Sequence, residues 1–382
     1  MHHTLYDLTP LLRLLMVGAA LAALPLLWVG LSNRNASNAQ RLRALTLATL
    51  FLTFDLVMFG AFTRLTDSGL GCPDWPGCYG NASPLGAHLE ITAAQTAMPS
   101  GPVTHDKAWI EMLHRYWASS VGALIMVLTA MSWWLATGAR KTRVGTVGLP
   151  NPWWATFTLV WVCIQGAFGA LTVTMKLFPA IVSLHLLGGY VLLALLTVQA
   201  VQWTQHSRGT QRIGVSQGLR RWMLLGVVML VIQAASGAWV STNYAVLACT
   251  EFPQCQGQWW PDMAFAQGFT LWRGLGMAAD GAYLPFSALT AIHVVHRMLA
   301  LITVLILGGL YAALWRTRKF LFLSRALLGV LVLQIATGVS NAVLDWPLPA
   351  AVLHTGGAGA LVIILVALLT TSGTLTRRLN SP

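Results

Sequence analysis

Long apolar segments dominate the chain, and short polar connections separate them. Nine of these segments reach the length of roughly 20 residues that a helix needs to cross the hydrocarbon core of a membrane. They cover roughly residues 11–31, 44–63, 108–137, 152–174, 179–203, 222–241, 285–314, 322–343 and 349–372. The pattern predicts an all-α integral membrane protein with nine transmembrane helices.

The composition excludes a soluble protein. Of the 382 residues, 56% are hydrophobic and only 9% are charged, whereas soluble domains carry about 25% charged residues. The net charge of +12 would suit a nucleic-acid partner if the basic residues formed one face or tail. They lie instead in alternate connections between the apolar segments, so the sequence indicates a lipid bilayer as the surroundings and no nucleic-acid partner.

The same charge distribution predicts the orientation. The connections after the first, third, fifth and seventh segments, together with the C-terminal tail, hold 16 of the 23 basic residues and none of the 11 acids. Because positive loops stay on the cytoplasmic side, we expect a periplasmic N-terminus and a cytoplasmic C-terminus in a bacterial inner membrane. Residues 1–10 lack the basic start of a signal peptide, so the first segment is expected to be a retained anchor. Cleavage near residues 36–39 is the alternative.

The remaining eight segments form two similar halves. Gly60 and Gly237 open similar tripeptides, and in each half the next cysteine follows 12 residues later. Gln165 and Gln334 each precede a histidine by 20 residues. An even number of helices per half gives both halves the same orientation, so two four-helix bundles related as a parallel internal repeat are predicted. The expected domains are 1–42 (anchor and cytoplasmic linker), 43–205 and 206–382.

Four histidines form two matched pairs, each near the same end of an apolar segment. The pairs are His114 with His185, and His296 with His354. An ionisable residue inside a membrane span is costly and therefore a functional candidate, and two imidazoles from neighbouring helices can ligate haem iron from both faces. Zinc fits less well, because the cysteines that could complete such a site lie in the loops. The pattern predicts two haem sites.

Charged residues beside these histidines suggest further roles. Arg115 and Arg297 directly follow a histidine on the side where positive charge is rare, so they are candidates for pairing with haem propionates, and Arg64 is a third. Glu111 precedes His114 by three residues, where the second half has His293. A carboxylate present in one half only predicts chemistry in that half, while a structural pair with Arg115 is the alternative.

The two long connections on the periplasmic side each contain a cysteine pair. These pairs are Cys72 with Cys78 and Cys249 with Cys255. A spacing of six residues in an oxidising compartment favours disulfides, with a redox-active dithiol as the alternative. Asp55, in the middle of the second segment, and His293 have no role that the sequence assigns.

The chain resembles the haem A synthase family over roughly residues 43–372. The resemblance rests on the segments Thr63–Leu70 and Pro73–Cys78, on Glu111 to Arg115, and on His296-Arg297 and His354. It implies oxidation of the C8 methyl of haem O to a formyl group by two successive hydroxylations, in support of cytochrome c oxidase assembly. It also implies that His114 and His185 hold substrate haem O, that His296 and His354 ligate a haem b cofactor, and that Glu111 is catalytic.

The resemblance further implies haem O and the haem O synthase that delivers it as partners, and an electron acceptor that the sequence does not identify. A homo-oligomer is one option for the assembly state. The first segment departs from the eight-helix core of the family. Two other functions stay open at this level: a di-haem b-type cytochrome for quinol-linked electron transfer, and a haem transporter built from two repeats.

Overall fold

The computed structural model describes residues 9–141 and 149–374. Within these residues, nine helices are long and apolar enough to cross a membrane, so the chain is a multi-pass membrane protein. They are α1 (Thr9–Ser32), α2 (Asn38–Leu65), α4 (His105–Lys141), α5 (Trp153–Thr174), α6 (Pro179–Arg208), α7 (Gln217–Thr242), α9 (Phe286–Thr317), α10 (Leu321–Val343) and α11 (Leu348–Thr371). The all-α membrane fold and the nine predicted spans are confirmed.

Several helices begin before their apolar segments, whereas α5 and α9 begin one residue after theirs. Helix α2 starts six residues before the predicted segment, because Ser37 and Gln40 form a capping box that satisfies the first backbone N–H groups. Arg41 then donates to the carbonyls of Asn33 and Arg34 in the preceding turn. A polar first turn is invisible to a search for apolar residues, which explains the difference.

The described residues group into two compact units, which we treat separately. The first comprises residues 9–196 and Leu271–Leu275, and the second comprises Thr197–Thr270 and residues 276–374. The predicted domain boundaries at 42/43 and 205/206, and the predicted relation of the halves as a parallel repeat, stay predictions.

In the first unit, α1 packs along α4. Gly18 lies so close to Ser119 that an added Cβ would overlap with its side chain. Leu14, Ala22 and Val29 are buried on the same helix, and most of its other large side chains are exposed. The predicted anchor is therefore a docked helix with one narrow packing face, and a small residue permits that contact.

The second unit has a continuous apolar core between α7, α9, α10 and α11, in which Met223, Leu307, Leu327 and Leu365 are fully buried. It also contains the two strands of the described chain, β1 (Ile213–Val215) and β2 (Ser372–Thr374), which pair in parallel. Arg220 donates to the carbonyl of Ser372 at 3.0 Å beside this pair. Strands of three residues are too short to show an alternating pattern, so the sequence did not predict them.

The long connections after α2 and α7 contain short helical elements that the sequence did not predict: α3 (His88–Ala97), a 3-10 turn (Ala245–Ala248) and α8 (Phe265–Gly268). Each connection also contains a disulfide, Cys72–Cys78 or Cys249–Cys255, with Cα atoms 4.9 and 4.8 Å apart. Both disulfides predicted from the cysteine spacing are thus present. We call residues 72–78 the first disulfide loop and residues 249–255 the second.

Candidate functional site

Each of the four predicted histidines faces a glycine on another helix. The pairs are Gly60 with His114 and Gly169 with His185 in the first unit, and Gly237 with His296 and Gly338 with His354 in the second. A Cβ added to these glycines would lie 3.0, 3.5, 3.0 and 3.2 Å, respectively, from Cε1 of the facing ring. The imidazoles therefore pack directly against helix backbone, which only glycine permits at the closest of these distances.

His114 and His185 belong to the first unit, and His296 and His354 belong to the second. That each pair binds one haem stays a prediction. All four side chains are half-buried on helices of membrane-spanning length. Among the described residues, no group of three or more His, Cys, Asp or Glu side chains is placed to hold a metal ion. The arrangement offers two imidazoles per unit.

The Nδ1 atoms of the histidines differ between the units. In the second unit, Nδ1 of His296 lies 2.8 Å from Oγ of Ser236, and Nδ1 of His354 lies 2.9 Å from Oγ1 of Thr337. In the first unit, Nδ1 of His114 and Nδ1 of His185 are buried without a hydrogen-bond partner among the described residues. Buried polar atoms without partners are rare, so the histidines of the first unit differ from those of the second in the bonding of Nδ1.

These observations fit haem. A haem held by two histidines needs one free nitrogen on each ring. In the second unit Nδ1 of His354 contacts Thr337 and Nδ1 of His296 contacts Ser236, while the amide nitrogen of Gln233 also lies 3.4 Å from Nε2 of His296. The facing glycines leave room for the imidazoles in an apolar helix packing. His114 and His185 would hold one haem in the first unit, and His296 and His354 would hold the other in the second.

Glu111 and Arg115 form a buried ion pair on α4, and their exposed fractions are only 4% and 7%. Oε2 of Glu111 also accepts a hydrogen bond from the backbone N–H of Cys72 at 2.8 Å. Arg115 donates through Nη1 to the carbonyls of Asp74, Pro76 and Gly77. These bonds connect the turn of α4 that contains His114 to the first disulfide loop.

Arg297 makes the corresponding contacts in the second unit. Its guanidinium donates to the carbonyls of Cys249 at 2.9 Å and Gln254 at 3.0 Å in the second disulfide loop. Its Nε donates to Nε2 of His293 at 3.2 Å, so a neutral imidazole stands where the first unit has the carboxylate of Glu111. The predicted difference between the halves thus lies at the contact between helix and loop.

The structure therefore assigns contacts to the three predicted propionate partners. Arg115 and Arg297 bind loop carbonyls, and Arg64 forms an ion pair with Asp67 at 3.3 Å. The pair between Glu111 and Arg115 is the structural alternative that the sequence left open. Contacts of these arginines with propionates stay a prediction. Asp55 lies along α2 with a half-buried side chain.

Sequence reasoning missed several polar residues around the histidines. Gln334 donates to the carbonyl of His354 at 2.9 Å. Gln165 packs so closely on Gly188 that an added Cβ there would overlap with its side-chain amide. The repeated spacing of the two glutamines was visible, but not their contacts. Ser236 and Thr337 were missed because phenylalanine occupies the matching positions in the first half, so the repeat did not mark them.

Comparison with known proteins identifies relatives over most of the chain. Residues 43–366 match the family COX15-CtaA, described as cytochrome oxidase assembly protein. The protein named "Heme A synthase" of Shewanella oneidensis is 38% identical over 320 residues, which cover 84% of this chain and 93% of that protein. Those of Halalkalibacterium halodurans and Rhizobium meliloti are each 26% identical and cover 78% and 85% of this chain, and 86% and 88% of their own lengths.

Proposed function

The chain belongs to the COX15-CtaA family of cytochrome oxidase assembly proteins, within which it is a membrane oxidoreductase of the haem A synthase type, and we propose that it oxidises the C8 methyl of haem O to a formyl group. Overall, the methyl group and one water become a formyl group, with release of four electrons and four protons. Two successive hydroxylations followed by dehydration meet this balance. The four electrons pass to an external one-electron acceptor.

The observation that carries this proposal is the difference between two otherwise similar histidine pairs. Both units place two imidazoles against glycines, which suits one haem in each. The first unit alone has a buried carboxylate three residues before a ligand histidine. We therefore assign substrate haem O to His114 and His185, and a haem b cofactor to His296 and His354. When bound, haem b supplies one-electron chemistry.

Glu111 is the proposed catalytic residue. Its side chain is held from two sides, by the N–H of Cys72 and by the guanidinium of Arg115. Each oxygen keeps a lone pair beyond these bonds, so the carboxylate can accept protons that the reaction releases. His293 provides no negative charge at the matching position, in agreement with a site that only carries electrons.

Haem extraction tests the proposal. The full chain is co-expressed with haem O synthesis, purified, and its haems are separated by chromatography. We expect haem b and haem A from the wild type. Glu111→Gln should keep its haem content but lower haem A formation about a hundredfold or more, the usual contribution of acid–base catalysis. Haem b alone from the wild type would indicate the di-haem cytochrome instead, and normal conversion by Glu111→Gln would refute the role of this residue.

Location and partners complete the proposal. The loop charges support a bacterial inner-membrane protein with a periplasmic N-terminus and a cytoplasmic C-terminus, so the disulfide loops would face the oxidising side. Reporter fusions at both termini test this orientation. Haem O synthase is the proposed donor of substrate. Co-purification of the two proteins is the corresponding test.

A further inference from the structure

The hydroxyl groups beside His296 and His354 donate their protons to backbone carbonyls of their own helices. Ser236 donates to the carbonyl of Gln233 at 2.9 Å, and Thr337 donates to the carbonyl of Leu333 at 2.8 Å. These are the local bonds that Ser and Thr hydroxyls commonly make inside helices. Each oxygen therefore faces its histidine with a lone pair, and the proton in the bond between them belongs to Nδ1.

This arrangement fixes the tautomer of both rings. A neutral imidazole with its proton on Nδ1 has its lone pair on Nε2, which is the form that ligates a metal. The amide nitrogen of Gln233 lies farther from the ring of His296, 3.2 Å from Nδ1 and 3.4 Å from Nε2, and is also within 3.4 Å of the carbonyl of His296, to which it can donate. The shorter contact with Ser236 is thus the one that sets the proton.

The first unit has no equivalent acceptor. Phe59 and Phe168 occupy the positions that match Ser236 and Thr337, each directly before the glycine that faces a histidine. The ring of Phe59 stacks on that of His114, with centroids 6.2 Å apart. Phenylalanine cannot accept a proton from Nδ1, in agreement with the unpartnered Nδ1 atoms of His114 and His185 among the described residues.

We propose that Ser236 and Thr337 are positioning residues that make the second histidine pair a resident haem site, and that phenylalanine at the matching positions leaves the first pair an exchanging site. The proposal rests on the proposed function, since an enzyme must release product haem from one site and retain the cofactor in the other. Partners of this kind orient the ligand and raise its basicity, and their loss typically weakens metal binding 10- to 100-fold.

Haem transfer from the full-length protein tests the proposal. In a His114→Ala, His185→Ala background only the second pair can bind, and the protein is loaded with haem b and mixed with excess apomyoglobin. We expect Ser236→Ala and Thr337→Val each to accelerate haem loss about tenfold or more, and Thr337→Ser to restore slow loss. The matched control is Thr303→Val, because buried Thr303 makes the same bond to a helix carbonyl but does not contact a histidine.

A second measurement separates positioning from packing. A hydrogen bond from Nδ1 to an oxygen increases the electron donation of the ligand and favours ferric iron, so Ser236→Ala and Thr337→Val should raise the midpoint potential of the haem, whereas Thr303→Val should not. In the opposite background, His296→Ala with His354→Ala, Phe168→Thr should slow haem loss from the first pair.

The outcomes are distinct from those of the proposed function. Unchanged haem loss and potential in Ser236→Ala and Thr337→Val, or equal effects in Thr303→Val, would overturn the positioning role. Equal rates of haem loss from the two wild-type pairs would overturn the assignment of resident and exchanging sites. If the wild type forms no haem A while the second pair still depends on both hydroxyls, the proposed function fails and the positioning role stands.

Discussion

Replacing Gly237 by alanine should weaken haem binding in the second unit without destabilising α7, the helix that contains this residue. The new Cβ would lie 3.0 Å from Cε1 of His296, whereas carbon atoms in contact prefer about 3.5–4.0 Å. The ring must therefore shift by a few tenths of an ångström, which approaches the tolerance of about 0.5 Å for a functional group held in place. Alanine favours a helix over glycine by about 0.5–1 kcal/mol, so the fold itself should not weaken.

The assay is the absorption spectrum of the purified protein, with haem b quantified against protein and thermal unfolding followed in parallel. We expect Gly237→Ala to lose haem b about tenfold while it unfolds no earlier than the wild type without haem. Gly308→Ala is the matched control, because that glycine lies in α9 with nothing within 4 Å of an added Cβ. Gly169→Ala should be mild, since its contact of 3.5 Å is ordinary. Full haem content in Gly237→Ala would refute the argument from ring displacement.

Three further predictions concern the helix–loop contacts, the second disulfide and the packing of α1. Arg115→Met should lower the free energy of unfolding by about 3–5 kcal/mol, since it leaves Glu111 as an unpaired buried charge. Arg297→Met should lower it by only about 1–3 kcal/mol, because its partner His293 is neutral. Chemical denaturation in detergent measures both values, and equal losses would contradict this difference between the two helix–loop contacts. Cys249→Ser should lower the free energy of unfolding by about 2 kcal/mol, because a small closed loop is lost. The thermal transition should occur at a lower temperature, and reductant should no longer act through this loop. Gly18→Val should detach α1 from Ser119 and expose the connection after it to protease, and an unchanged digestion pattern would exclude this packing contact.

The sequence predicted the parts of this molecule that depend on one residue type or one period. Nine apolar segments were enough for the helices, and four histidines at matching positions marked the rings that face glycines. Two cysteine pairs at equal spacing were enough for the disulfides. These signals are local, because length, hydrophobicity and spacing are properties of short stretches of chain.

Other features depend on neighbours that are distant in sequence. Arg115 was expected near a propionate, but its guanidinium reaches backbone carbonyls 38 to 41 residues earlier. Ser236 and Thr337 carry no mark in the sequence, since a single hydroxyl in an apolar helix usually bonds its own backbone. Only the packing of α7 against α9, and of α10 against α11, brings these hydroxyls to the histidines.

The short strand pair sets the order in which the second unit can be completed during synthesis. Arg220, next to β1, bonds Ser372 in β2, 152 residues later in the chain. At about 5–20 residues per second, a ribosome needs roughly 8–30 s to produce that partner. Until then the start of α7 lacks its contacts with Ser372, although His296 has already been synthesised. During that interval the bond between Arg220 and Ser372 cannot form, and the synthesis of β2 makes it possible.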